Sequence, residues 1–165
     1  MESAALASCG ERLIRGSKMN SHSRGESLIQ RRLLKYGIQF DPRQARTGIH
    51  LVAFVPKTGE HLTVRVMACQ KPIPAGGKGA SSVGWLLPNK SVADLVAVTK
   101  LDGDKAWLFR RKEFEDNAQQ KPKKPEGKFH LYFYVDPERL SDDGPHERDF
   151  AKFVFECRMH DIFGI

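Results

Sequence analysis

The chain has 165 residues, enough for one domain with a sizeable core and hardly enough for two. With 27 Lys and Arg against 20 Asp and Glu its net charge is +7, a balance that favours association with polyanions, nucleic acid above all. No apolar run nears the roughly 20 residues of a membrane span, so no membrane partner is expected. The Ala-rich start MESAALASCGERLIRG lacks the long apolar centre of a secretory signal. The three cysteines, Cys9, Cys69 and Cys157, are widely spaced and form no CxxC pair, so neither a disulfide framework nor a four-ligand zinc site is indicated and a reducing cytoplasm is the natural reading.

In chain order, residues 1–22 read as a flexible arm, with Met19 as an alternative start, and residues 23–165 as one domain. SRGESLIQRRLLKYG, 23–37, carries Ile29, Leu33 and Tyr36 at helical spacing, and Gly37 is a stop signal. IQFDP suggests a short strand ended by Pro42. HLVAFV is apolar enough to be buried on both faces. PKTGE is a turn, and in LTVRVMA the residues Leu62, Val64 and Val66 face one way while Thr63, Arg65 and Met67 face the other.

KPIPAGGKGASS, 71–82, reads as a loop, and VGWLLPNKS as an aromatic segment with a broken helical turn. ADLVAVTKLDGDKAWLFRRKEF, 93–114, forms a second hairpin about the turn signal LDGD. QQKPKKPEGK, 119–128, is basic and expected to be mobile. FHLYFYVDP is a strand by aromatic content, and HERDFAKFVFECRMHDIF reads as a closing helix.

Three short stretches invite chemistry and do not carry it. GGKGAS lacks the Gly-Lys-Ser/Thr that leads a phosphate loop into a helix. HERDF has Phe where a zinc protease motif needs its second His. Cys157 and His160 share a helical spacing but make only two ligands, so a buried Cys and a terminal polar His are the simpler expectation. Glu26 is the more informative residue. Ser23 and Glu26 have capping-box spacing, which would satisfy orphan N–H groups at the helix start. Glu26 also shares a face with Ile29 and Leu33, so it can lean toward a sheet edge.

The order of parts, a helix with Glu26, a short strand, GIHLVAF, a turn, LTVRVMA, then ADLVAV and AWLFRRKEF, resembles the PD-(D/E)XK restriction-endonuclease-like superfamily over about residues 23–116. That resemblance implies an α/β fold with a mixed central β-sheet flanked by helices. It implies a site in which the helix acid, a strand Asp and a Glu or Gln hold Mg²⁺ while a Lys supports the attacking water. Carried over, Glu26 matches the helix acid, His50 takes the Asp position, Arg65 the Glu or Gln position and Met67 the Lys position. Only the first is kept. A guanidinium repels a cation, and Mg²⁺ prefers oxygen donors to imidazole.

The leading expectation is thus a nuclease-like domain with a degenerate site, with Glu26, His50 and Arg65 as positional candidates, no metal and no cofactor. It would bind nucleic acid, DNA before RNA, or a nucleic-acid-processing partner, with Arg43, Arg46, Arg65, Lys71 and Lys78 as contacts. A metal-free role for His50 as a base, with Arg65 holding a phosphate, belongs to the same site. One alternative is an active Mg²⁺-dependent endonuclease with divergent ligands. Another is an interaction module that dimerises through FHLYFYV and the closing helix.

Overall fold

The structure is a computed structural model that describes residues 19–43, 48–75, 80–136 and 144–165. Its elements are α1 (Ser21–Lys35), β1 (Phe40–Pro42), β2 (Leu51–Phe54), β3 (His61–Cys69), β4 (Ile73–Ala75), β5 (Ala80–Pro88), β6 (Leu95–Lys100), β7 (Lys105–Arg110), α2 (Arg111–Asn117) and β8 (Lys128–Tyr134). Three short 3₁₀ and π turns, Glu147–Phe153, Phe155–Arg158 and Met159–Phe163, close the chain. A five-stranded sheet runs β1-β2-β3-β6-β7, with β3 and β6 parallel and the other pairs antiparallel. A second, antiparallel sheet runs β4-β5-β8. The expected mixed α/β architecture is observed.

Side-chain alternation divides the five-stranded sheet between two cores. Leu62, Val64, Val66, Leu95, Ala97 and Leu108 face α1 and the end of the chain. Val96, Val98, Trp107 and Phe109 face the second sheet, where Val83, Trp85, Leu87, Leu131 and Phe133 meet them. The result is three layers with the larger sheet in the middle. HLVAFV is buried on both faces as expected, with Leu51, Val52 and Ala53 all buried.

Several boundaries differ from the sequence expectation. α1 begins two residues early, at Ser21, so His22 belongs to the helix and not to the arm; residues 1–18 lie outside the described residues. Asn20 is the N-cap, its Oδ1 accepting from the Ser23 N–H at 2.8 Å. The Ser23–Glu26 capping box is therefore not the cap, which leaves the Glu26 carboxylate for other partners. Gly25 lets this first turn press on the sheet: a Cβ there would sit 2.8 Å from Ala68 Cβ.

The segment read as loop and broken helical turn is mostly strand. Val83, Trp85 and Leu87 alternate inward while Gly84 and Leu86 face outward, a period of two that overrides the Pro and Gly signals around it. Pro74 is tolerated because β4 is an edge strand. QQKPKKPEGK is held in place, with the Asn89 N–H donating to Gly127 O and the His130 N–H to Gln120 O.

The closing helix is not one helix. Val154 is extended and bridges to Trp107 on β7, which swings Phe153 into one core and Phe155 into the other. Cys157 in this segment is exposed, not buried. Among the described residues no helix is long and apolar enough to cross a membrane.

Candidate functional site

The β2–β3 ladder stops at the pair Leu51 and Val64, so the second half of β3 has a strand partner only on the β6 side. At the vacated edge the Val66 N–H would lack an acceptor. The His50 ring supplies one: Nδ1 accepts from the Val66 N–H at 2.7 Å. One step beyond the last ladder pair, His50 and Arg65 are cross-strand neighbours. Met67 follows on Arg65's face.

These residues line a cleft of about 490 Å³ between the first turn of α1 and β5, together with His22, Gly48, Gly84, Trp85 and Leu86. Of the three positional candidates, His50 and Arg65 line this cleft, whereas Glu26 is not among its lining residues and approaches His50 beside His22. His22, Glu26 and His50 bring one potential donor atom each to within 4.8 Å of one another. Glu26 Oε1 lies 2.8 Å from His22 Nε2 across one helical turn. The His22 and His50 rings meet edge to face, with centroids 4.5 Å apart.

The electrostatics follow from burial. His50 is 5% exposed, and its pKa is lowered to about 4 by burial first, then by the positive charge of His22 and Arg65. It is neutral near pH 7, and because Nδ1 accepts a hydrogen bond, the ring proton sits on Nε2. Burial also lowers the Arg65 pKa, with no carboxylate among the described residues to offset it. Its Nη1 donates to Gly48 O at 3.3 Å, and its buried Nε has no partner among the described residues. Gly48, at φ +72°, makes this approach feasible, since a Cβ there would lie 2.2 Å from Nη1.

No model of a protein family matches the chain, and no curated protein does. Among solved structures, it is similar to a bacterial homing endonuclease, I-Ssp6803I, at 13% identity over 79% of this chain and 85% of that one, with a TM-score of 0.51. The fold is nuclease-like.

Of the other expected contacts, Arg43 is exposed, pairs with Asp41 at 2.9 Å, and donates its backbone N–H to His50 O. Lys71 is exposed beyond the end of β3 and is not among the cleft-lining residues. Arg46 and Lys78 lie outside the described residues. Sequence reasoning missed His22. The His-x₃-Glu spacing of His22 and Glu26 was the available signal, hidden because His22 had been assigned to the arm.

Proposed function

We propose that the chain is a nucleic-acid-binding domain of the PD-(D/E)XK type whose cleft grips the phosphodiester backbone without the Mg²⁺ centre of that superfamily. The carrying observation is Arg65, a guanidinium half-buried in a cleft, held by one carbonyl and, among the described residues, paired with no carboxylate. A phosphate there meets charge-assisted donors from Arg65 and a neutral donor from His50 Nε2–H. The competing negative charge of Glu26 is engaged by His22. The donor set does not fit Mg²⁺: the cluster supplies one carboxylate and two imidazoles, beside a fixed positive charge.

Fluorescence polarisation with labelled oligonucleotides from about 50 to 200 mM salt tests this reading. Arg65→Ala is expected to weaken binding about tenfold and to reduce the salt slope by about one, as loss of a phosphate contact should. Absence of binding by folded protein at low salt would overturn it.

A second reading has one observation in its favour. Two imidazoles and a carboxylate within reach of one another are a donor set for Zn²⁺ or a related ion, and so for a nuclease with divergent ligands. Against it, the Val66 N–H occupies Nδ1 of His50 and the proton occupies Nε2. Metal-dependent plasmid cleavage that is lost with His22→Ala would establish this reading in place of the first.

A further inference from the structure

The outer face of the second sheet is not used by the cleft, yet it is continuous with it. On β8, Leu131 and Phe133 point into the core, so His130, Tyr132 and Tyr134 point outward. Their cross-strand partners on β5 are Leu86, Gly84 and Ser82. A second cavity of about 460 Å³ lies over this face and shares Gly84 and Leu86 with the Arg65 cleft.

The surface is aromatic and accessible. Leu86 is 50% exposed and Ile73, at the far side, 59%. The His130 and Tyr132 rings are 5.2 Å apart and inclined at 50°, so neither covers the other's face. Tyr134 is less available, because its ring edge packs on Gly144. Gly84 keeps the passage between the two cavities open. A Cβ there would fall 2.9 Å from His130 Nε2 and 3.2 Å from Tyr132 Cβ. A glycine in a strand interior weakens the strand and commonly marks close approach of another group.

Charge selects the occupant. An apolar aromatic platform alone would suit many ligands, but this one opens at one end onto an unpaired guanidinium in a protein of net charge +7. A base-paired duplex keeps its base faces stacked on one another and cannot present them to a flat aromatic surface. A single strand can, since every base has a π-face and the backbone charge needs only cations beside it.

We infer that the groove takes an unpaired nucleic-acid strand, its phosphate on Arg65 and the adjoining base stacked on the Tyr132 ring, with the inclined His130 ring flanking it. This rests on the nucleic-acid reading above and specifies its ligand. The test uses the full chain, a single-stranded oligonucleotide with one 2-aminopurine, and a blunt duplex of equal length.

The single strand is expected to bind more tightly than the duplex and to quench the 2-aminopurine. Tyr132→Leu, which keeps apolar bulk but removes the ring, is expected to lower single-strand affinity about tenfold and abolish the quench. Tyr132→Phe should retain both, and neither variant should change duplex affinity. Equal binding of the two probes, with Tyr132→Leu silent, overturns the platform while leaving the phosphate site standing. Loss of all salt-dependent binding in the parent protein overturns the reading beneath it. A dimer in sedimentation that Tyr132→Leu dissolves would assign the face to a second copy of the chain and refute the proposal.

Discussion

Two arginines, one in the C-terminal turns and one in the cleft, show what the neighbouring carboxylates make of the same side chain. Arg158, in the C-terminal turns, is 9% exposed. Its Nη2 donates to both oxygens of Glu113 at 2.6 and 2.8 Å, and its Nη1 pairs with Asp161 at 2.9 Å. The guanidinium also lies over the Phe153 ring. Arg65, in the cleft, has one carbonyl and, among the described residues, no acid. A buried cation with its charges matched is part of the packing. A half-buried cation without a matching acid is costly to hold and is available to an anion from outside. Burial alone does not distinguish the two; the surrounding carboxylates do.

The largest effect expected from breaking this contrast is at the matched end. Glu113→Ala leaves Arg158 with Asp161 alone and removes the acceptor of the Arg110 N–H at the start of α2. A loss of about 2–4 kcal/mol in urea unfolding is expected, below the full cost of breaking a buried pair because Glu113 is partly exposed. Oligonucleotide affinity of the folded variant should not change. A coupled change in affinity would show that the two regions are not independent.

Next in size is the pH response of the cleft. The His50 imidazole titrates near its ordinary 6.5 in the unfolded chain and at about 4 in the fold. Above pH 7 both states carry it neutral. Below that, the unfolded chain binds the proton more readily, so stability is full near neutrality and falls as pH drops from 6.5 to about 4. The His50 share of that loss is on the order of 3 kcal/mol. His50→Asn keeps an acceptor for the Val66 N–H and removes the titration, so its stability should decline less over the same window. Identical profiles from thermal melts would refute this assignment.

Much of the fold was legible because its signals are local and repetitive. The alternation in LTVRVMA placed Arg65 and Met67 on one face, and the structure puts both in the cleft. The two apolar runs about LDGD pair as read. What was not legible depends on contacts distant in sequence. VGWLLP is a strand because β8 lies beside it, and Val154 breaks the closing helix because β7 bridges to it. The site was half legible. Glu26, His50 and Arg65 follow from resemblance and register, whereas the role of His22 depends on Asn20 capping the helix early enough to carry that ring beside His50.

A smaller effect is expected at Gly48. Its φ of +72° disfavours a side chain, and a Cβ would displace Arg65 Nη1. Gly48→Ala should cost about 1 kcal/mol of stability. It should weaken oligonucleotide binding by a few-fold, less than Arg65→Ala, since the guanidinium moves but remains. Binding equal to that of the parent protein would mean that Arg65 does not need its Gly48 contact to meet the ligand.

The smallest expected effect is a gain, and it tests whether the contrast between the arginines can be reversed. His50→Asp alone gives Arg65 the acid it lacks, and so turns the cleft toward the Arg158 arrangement. Oligonucleotide binding should fall and Mg²⁺ binding should not appear, because the new carboxylate is spent on the guanidinium. Adding Arg65→Glu and Met67→Lys removes that cation and places two strand acids near Glu26, with a lysine on the same face as position 65. One oxygen of the residue-50 carboxylate can take over the Val66 N–H that His50 now accepts, leaving the other for a metal. Calorimetry should then show Mg²⁺ affinity of about millimolar, at the weak end of protein sites, because the supporting contacts of a built centre are absent. If the triple variant folds and binds no Mg²⁺, then the cross-strand placement of residues 50 and 65 does not make a metal site.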